Sequence, residues 1–426
     1  MTGTRPRSGG PPATPADFAL TFNFELPTSH LACAMTDVLV IGAGPAGSIA
    51  ALTLARAGVR VRLLDRSVFP RHKLCGDTLN PGCLALLDRL GIGDAVRRGA
   101  LRTSGMAVTG PAGAAVAADY PDGLYGAALT RYDLDLRLLD TAVAAGAQFE
   151  PSVMVTDATR TDDGVRVDGV RVVRGKRTEE VRARVVIAAD GRASRIASAL
   201  LLAHFAASPR RWAVGAYFEG VEGLTARGEM HIRRDGYVGI APLPGDIANV
   251  CVVRTHAAIV RENANEQSHR IAYAAVIDSA IEGDATLRRR FRHAARVSPV
   301  AVLGPLAVRA HAAGCPGLLL AGDAAGFIDP MTGDGMRFAL RGGELAAAAA
   351  LRELDDGRPA HASLAAARAR EFSAKWRVNR ILRALVGSPR ALDAAALVAR
   401  RWTAPVEYLI GVAGDVSLAQ AEGVSG

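Results

Sequence analysis

The chain has 426 residues, half of them hydrophobic, which suffices for a sizeable core and two closely associated domains. Its formal net charge of +9 comes almost wholly from arginine spread along the chain; the lysines are Lys73, Lys176 and Lys375. Five cysteines, at positions 33, 75, 83, 251 and 315, form no C-x-x-C pair, and the nine histidines form no metal-spaced pair. A disulfide framework and a metal site are thereby excluded, and a reducing, cytoplasmic setting is expected.

Residues 1–34 are rich in Pro, Gly, Thr and Ser and lack the apolar core and cleavage site of a signal peptide. They read as a disordered extension outside the fold. Asp37 to Arg66 then spells out a βαβ unit. Val38 to Ile41 is a β-branched apolar run that reads as a doubly buried strand. The turn Gly42-Ala43-Gly44-Pro45-Ala46-Gly47 follows, and each of its glycines has a mechanical task. Gly42 makes the tight turn, Gly44 lets the backbone approach a pyrophosphate, and Gly47 lets the next helix pack on the strand. Pro45 has its φ preset for a first helical turn. The helix ends at Gly58, and its N-terminal amides and dipole favour phosphates. A second strand, Val59 to Leu64, delivers Asp65, followed by Arg66, where a carboxylate would accept ribose hydroxyls.

Residues 67–80 read as a loop and 81–100 as helical. Met106 to Val116 reads as a strand pair around Gly110-Pro111, and Arg131 to Ala145 as an amphipathic helix. Short strands are expected near 149–156, 165–173 and 180–188, the last delivering Asp190-Gly191 to a turn. Residues 212–255 suggest an antiparallel sheet. A helical pattern covers 262–296. Within it, Arg288 to Arg290 with Arg292 have a single aromatic, Phe291, among them, too few for a base-stacking surface, which counts against a nucleic-acid surface. They read as a solvated helix face, with attraction to an acidic cofactor or a membrane surface as the alternative. Leu318 to Leu320 reads as a buried strand presenting Gly322 and Asp323. Pro330-Met331-Thr332-Gly333-Asp334-Gly335 then feeds a helix from Met336, and almost everything from 344 onward is helical. Two anion-friendly turns nearly 300 residues apart suggest one long ligand with two ends. No apolar run approaches the ~20 residues of a membrane-spanning helix.

Together, GAGPAG with Asp65, Asp190-Gly191 and GDAAGFIDPMTGDG resemble the FAD-dependent oxidoreductases of the para-hydroxybenzoate hydroxylase fold, over about residues 36–345. That superfamily includes aromatic monooxygenases, flavin halogenases and geranylgeranyl reductases. Phe69-Pro70-Arg71-His72-Lys73-Leu74-Cys75-Gly76-Asp77 is similar to the P-R-x-K-x-C-G segment of the geranylgeranyl reductase branch. The resemblance implies an α/β fold: a Rossmann-type FAD-binding domain with a parallel sheet (36–105, 129–200 and 301–355), interrupted by a mainly antiparallel substrate domain (106–128 and 205–300). A C-terminal helical region (356–426) closes it.

By the same likeness Arg131 lies against the FAD pyrophosphate and Asp323 binds the ribityl chain. Asp190 and Gly191 serve cofactor and domain contacts, and Gly333 to Gly335 with Met336 meet the flavin ring. Amides at that helix start favour the negative charge of reduced flavin. Cys75 is placed near the flavin ring without a covalent role, on a loop where Arg71 and Lys73 can lower its pKa. Pro330 and Gly333 shape the oxygen-side wall, and Tyr217, Tyr237 and Phe327 are candidate pocket residues by position, with core packing as the alternative. At 236–244 the reductase pattern Y-x-W-x-F-P is departed from, since Gly239 and Ala241 stand where both large aromatics would be. The tryptophans and the catalytic lysine of halogenases are not evident either.

The activity expected first is NAD(P)H-dependent hydroxylation by O2 of a hydrophobic or aromatic small molecule, of the kind met in secondary metabolism. Double-bond reduction of an isoprenoid is the alternative. A nicotinamide-only dehydrogenase and a non-catalytic flavin-binding protein are further alternatives. No second G-x-G-x-x-G opens a nicotinamide domain, so NAD(P)H visits transiently or an external electron donor replaces it. Contact with a membrane, if any, is peripheral.

Overall fold

The computed structural model describes residues 36–263 and 272–421 apart from positions 209, 234 and 387, so the 1–34 extension lies outside the described residues. The β-branched run at the start of the fold forms strand Thr36–Ile41, which pairs in parallel with Val61–Leu64 on one side and Arg177–Ala188 on the other. Gln148–Glu150 and Leu318–Leu320 extend this sheet in parallel at its two flanks. Val38, Leu39 and Val40 are fully buried, as strands covered on both faces must be. Helix α1 (Pro45–Arg56) covers one face with Ile49, Leu52 and Leu54. The helical stretch expected over 81–100 is two helices, α2 (Pro81–Arg89) and α3 (Gly93–Arg97), because Gly91 turns the chain at φ +66° between them. Helices α4 (Arg131–Ala144) and α5 (Arg195–Ala199) start where expected of serine and threonine caps: Thr130 accepts from Asp133 N and Ser194 from Ala197 N.

The second sheet runs Arg211–Glu219, Ile247–Thr255, Gly236–Leu243 and Arg227–Arg233, all antiparallel. Its next neighbour is the hairpin Gly105–Thr109/Ala115–Asp119, which joins in parallel with Gly105 opposite Arg227. Helices α6 (His256–Asn263), α7 (Tyr273–Glu282) and α8 (Ala285–Arg290) follow, α6 and α7 at the end of the sheet away from the hairpin, and Val276 and Ile277 pack on Val214, Val250 and Val252. The pattern read as one helical stretch over 262–296 is broken at Gly283 and Asp284, where the Asp284 carboxylate caps α8. One member of the arginine cluster corrects its reading as a solvated face. Arg290 is folded inward, and its guanidinium takes both oxygens of buried Glu229.

From Gly335 the chain is helical: α9 (Gly335–Asp356), α10 (His361–Val386), α11 (Pro389–Arg401), α12 (Ala404–Ala413) and α13 (Val416–Ala421). α9 packs on α1 at a place where no side chain fits, since a Cβ on Gly343 would lie 2.2 Å from the Ala46 carbonyl oxygen. α11 and α12 fold back against the 105–119 hairpin. Two sheets, with helix starts at Gly44 and Asp334, therefore face a common space.

Candidate active site

Gly44, Pro45 and Ala46 at the start of α1, and Gly333, Gly335 and Met336 at the start of α9, line one cavity of about 400 Å³. The turns earn their glycines in different ways. A Cβ on Gly47 would sit 1.8 Å from the Gly42 carbonyl oxygen, and one on Gly42 2.6 Å from that of Ala189, so these two are needed for packing. Gly333 has φ +69°, and a Cβ there would meet nothing within 4 Å, so the backbone conformation selects glycine and leaves its face open to the cavity. Pro330 lines the same wall.

Cations gather at the α1 end. The Nη2 atoms of Arg71 and Arg131 lie 3.6 and 4.0 Å from where a Cβ on Gly44 would be. Arg131 is buried and grips Asp135 through two hydrogen bonds of 2.6 and 2.7 Å, and Arg71 reaches the same carboxylate at 3.1 Å. Lys73 lines the cavity, and burial, reinforced by Arg131, holds its ammonium below its usual pKa. Asp323 also lines the cavity, and burial pushes its carboxyl up against the pull of Lys73. Asp190 sits beside Gly191, and among the described residues its buried Oδ1 has no hydrogen-bond partner. A ligand carrying hydroxyls toward Asp190 and Asp323 and a diphosphate toward Gly44, Arg71, Lys73 and Arg131 would satisfy all of these at once.

Two expected groups are already engaged. Asp65 is buried and accepts from Ala43 N and Ser67 N, both at 2.8 Å, so it shapes the glycine turn; Arg66 beside it is exposed. Asp334 does not line the cavity, because its carboxylate is held by half-buried Lys375, which also takes Asp415 at 2.8 Å.

Cys75 stands on the cavity wall with its side chain beside the Arg131 guanidinium. Its carbonyl accepts from Asn249 Nδ2 at 2.6 Å. Asn249 also donates to Asp77 at 2.7 Å, and Tyr217 Oη donates to the same carboxylate oxygen at 2.8 Å. Tyr217 thus braces the cysteine loop from behind and is not among the cavity-lining residues. Tyr237 and Phe327 do line it. The Tyr237 hydroxyl is committed to Asp329 at 2.6 Å, and Arg211 binds the other oxygen of Asp329 at 3.0 Å. The sequence reading gave Asp77, Asn249, Asp329 and Arg211 no role, although Asp77 and Asp329 stand inside the motifs that carry the resemblance. Asn249, a polar residue inside an apolar strand, carried a further visible signal.

A two-sheet fold with two helix starts and a cationic patch on one cavity defines a FAD-dependent oxidoreductase. The chain belongs to the FAD binding domain family, whose sequence profile matches residues 35–369. It is 31% identical to a menaquinone reductase of Mycobacterium tuberculosis over 406 residues, covering 88% of this chain and 90% of the relative. It is 31% identical to digeranylgeranylglycerophospholipid reductase 1 of Methanothermobacter thermautotrophicus, covering 75% and 78%. Among solved structures, the flavin-dependent halogenase CmlS superposes with a TM-score of 0.71 at 26% identity, over 81% of this chain and 63% of that one. The brominase Bmp2, at 21% identity, shares the fold with a TM-score of 0.75 over 89% and 94%.

Proposed function

We propose that this chain is a FAD-dependent reductase that saturates a carbon–carbon double bond in a long, apolar, isoprenoid-like molecule. The observation that carries the reading is the reach of the cavity. From the turns at Gly44 and Gly333 it extends past Met106, Val108 and Val116 of the hairpin to Leu392, Leu409 and Ile410 on α11 and α12, lined largely by apolar side chains. FAD takes the stretch between the two turns, and the apolar remainder along the hairpin, α11 and α12 has the elongated lining that suits a polyprenyl chain rather than a compact aromatic ring. The names of the two reductase relatives agree with this choice, which puts double-bond reduction ahead of the hydroxylation expected first.

When bound, FAD reduced by NAD(P)H or an external donor supplies the hydride for one alkene carbon. Gly44, Arg71, Lys73 and Arg131 would hold its diphosphate, Asp190 and Asp323 would take its hydroxyls, and the amides at Gly333, Gly335 and Met336 would favour negative charge on its reduced ring. Cys75, on the wall beside Arg131, gives the proton to the second alkene carbon. Tyr217, Asn249 and Asp77 fix the loop that carries it.

The test uses the FAD-loaded protein, chemically reduced, with menaquinone or geranylgeranyl lipids under argon and in air. The expected product has gained two hydrogens and forms without oxygen. Turnover only in air, with oxygen appearing in the product, would establish hydroxylation instead.

A further inference from the structure

The helices that close the far end of the cavity also carry the largest grouping of exposed apolar side chains on the described surface. At 100° per residue, α11 turns Leu392, Ala395, Ala396 and Ala399 to the cavity and sets Arg390, Leu397, Val398 and Arg401 on the opposite face. Leu397 and Val398 are 61% and 52% exposed, and Trp402, just past the helix end, is 63% exposed. α12 repeats the arrangement, with Val406, Leu409 and Ile410 inward and Tyr408 72% exposed. On α10, Leu382 and Leu385 line the cavity while Ile381 is 68% exposed, next to exposed Arg380 and one turn after exposed Arg377.

We infer that the outer face of α10, α11 and α12 docks on an anionic lipid bilayer. Charge selects this occupant: arginines at 377, 380, 390 and 401 are interleaved with aliphatic and aromatic residues, the composition of a helix that lies in the headgroup region. Trp402 and Tyr408 are the side-chain types that settle at that interface. Among the described residues no helix is long and apolar enough to cross a membrane, so the contact is peripheral. The site behind these helices gives the contact a purpose. A lipid-soluble substrate passes from the bilayer into the cavity across a single layer of helix, without entering water. This purpose rests on the reading of the cavity given above, but the docking itself is measured without turnover.

The experiment is co-sedimentation of the full-length FAD-loaded protein with phosphatidylglycerol-rich vesicles and with pure phosphatidylcholine vesicles. Wild type should bind the anionic vesicles and lose most of that binding in high salt. The variant Leu397→Glu/Trp402→Glu, and separately Arg390→Gln/Arg401→Gln, should each weaken binding about tenfold or more while keeping FAD content and unfolding temperature. No binding to anionic vesicles overturns the inference, as does equal binding by wild type and variants. A dimer in light scattering that both variants dissolve, without vesicle binding, overturns it in favour of a second copy of the chain. Vesicle binding without reductase activity upholds the docking face and counts against the proposed reaction alone.

Discussion

Asp77 concentrates three demands on one carboxylate. Its backbone is held at φ +54°, a conformation that costs a non-glycine residue about 1 kcal/mol. Its oxygens receive Arg131 N, Tyr217 Oη and Asn249 Nδ2. Burial nevertheless dominates and pushes the carboxyl from 3.8 to about 7, with those donors pulling the other way. Because the folded pKa lies above the unfolded one, the native state binds the extra proton. The resulting stability is full below 3.8 and has gone once pH has risen through about 7. The wild-type unfolding temperature should therefore fall as pH is raised from about 5 to about 8, and Asp77→Asn should flatten that slope. An unchanged slope in a thermal-melt series would show that Asp77 is ionised throughout.

At the scale of elements, the Asp329 clamp joins the second sheet to the Pro330–Gly335 turn on the cavity wall. Met331 N, Tyr237 and Arg211 converge on its two oxygens, so the Pro330–Gly335 turn is fixed from two strands of that sheet, Arg211–Glu219 and Gly236–Leu243, which flank Ile247–Thr255. Tyr237→Phe should cost about 1 kcal/mol in denaturant unfolding and loosen FAD. Asp329→Ala should cost roughly 3–5 kcal/mol, because buried Arg211 loses its counter-ion. If both variants match wild type in stability and FAD retention, the clamp has no mechanical role.

What sequence could show at this scale follows from range. The βαβ unit was legible because glycine spacing, proline placement and strand alternation act within about thirty residues. The parallel insertion of the 105–119 hairpin beside Arg227–Arg233 was not, since its partners lie more than a hundred positions apart. Asp334 read as a cofactor residue because its neighbours are glycines, whereas Lys375, far along the chain, claims its carboxylate.

At the scale of the molecule, the cavity is a joint product of the parallel sheet, the antiparallel sheet and the C-terminal helices. At its far end α11 contributes the small side chains of Ala395, Ala396 and Ala399, so bulk there should act as a ruler. Ala396→Trp should lower kcat/KM for a long polyprenyl substrate by about tenfold or more while sparing a short one, with FAD binding unchanged. Equal losses for both lengths in a paired kinetic assay would mean that the substrate does not reach α11.

The stretch recognised as the FAD-binding family stops at residue 369, yet Leu382, Leu385, Leu392, Leu409 and Ile410 on that wall come later in the chain. Part of the cavity wall therefore lies beyond the stretch that the family profile matches, and the C-terminal helices complete a space that the cofactor-type fold opens.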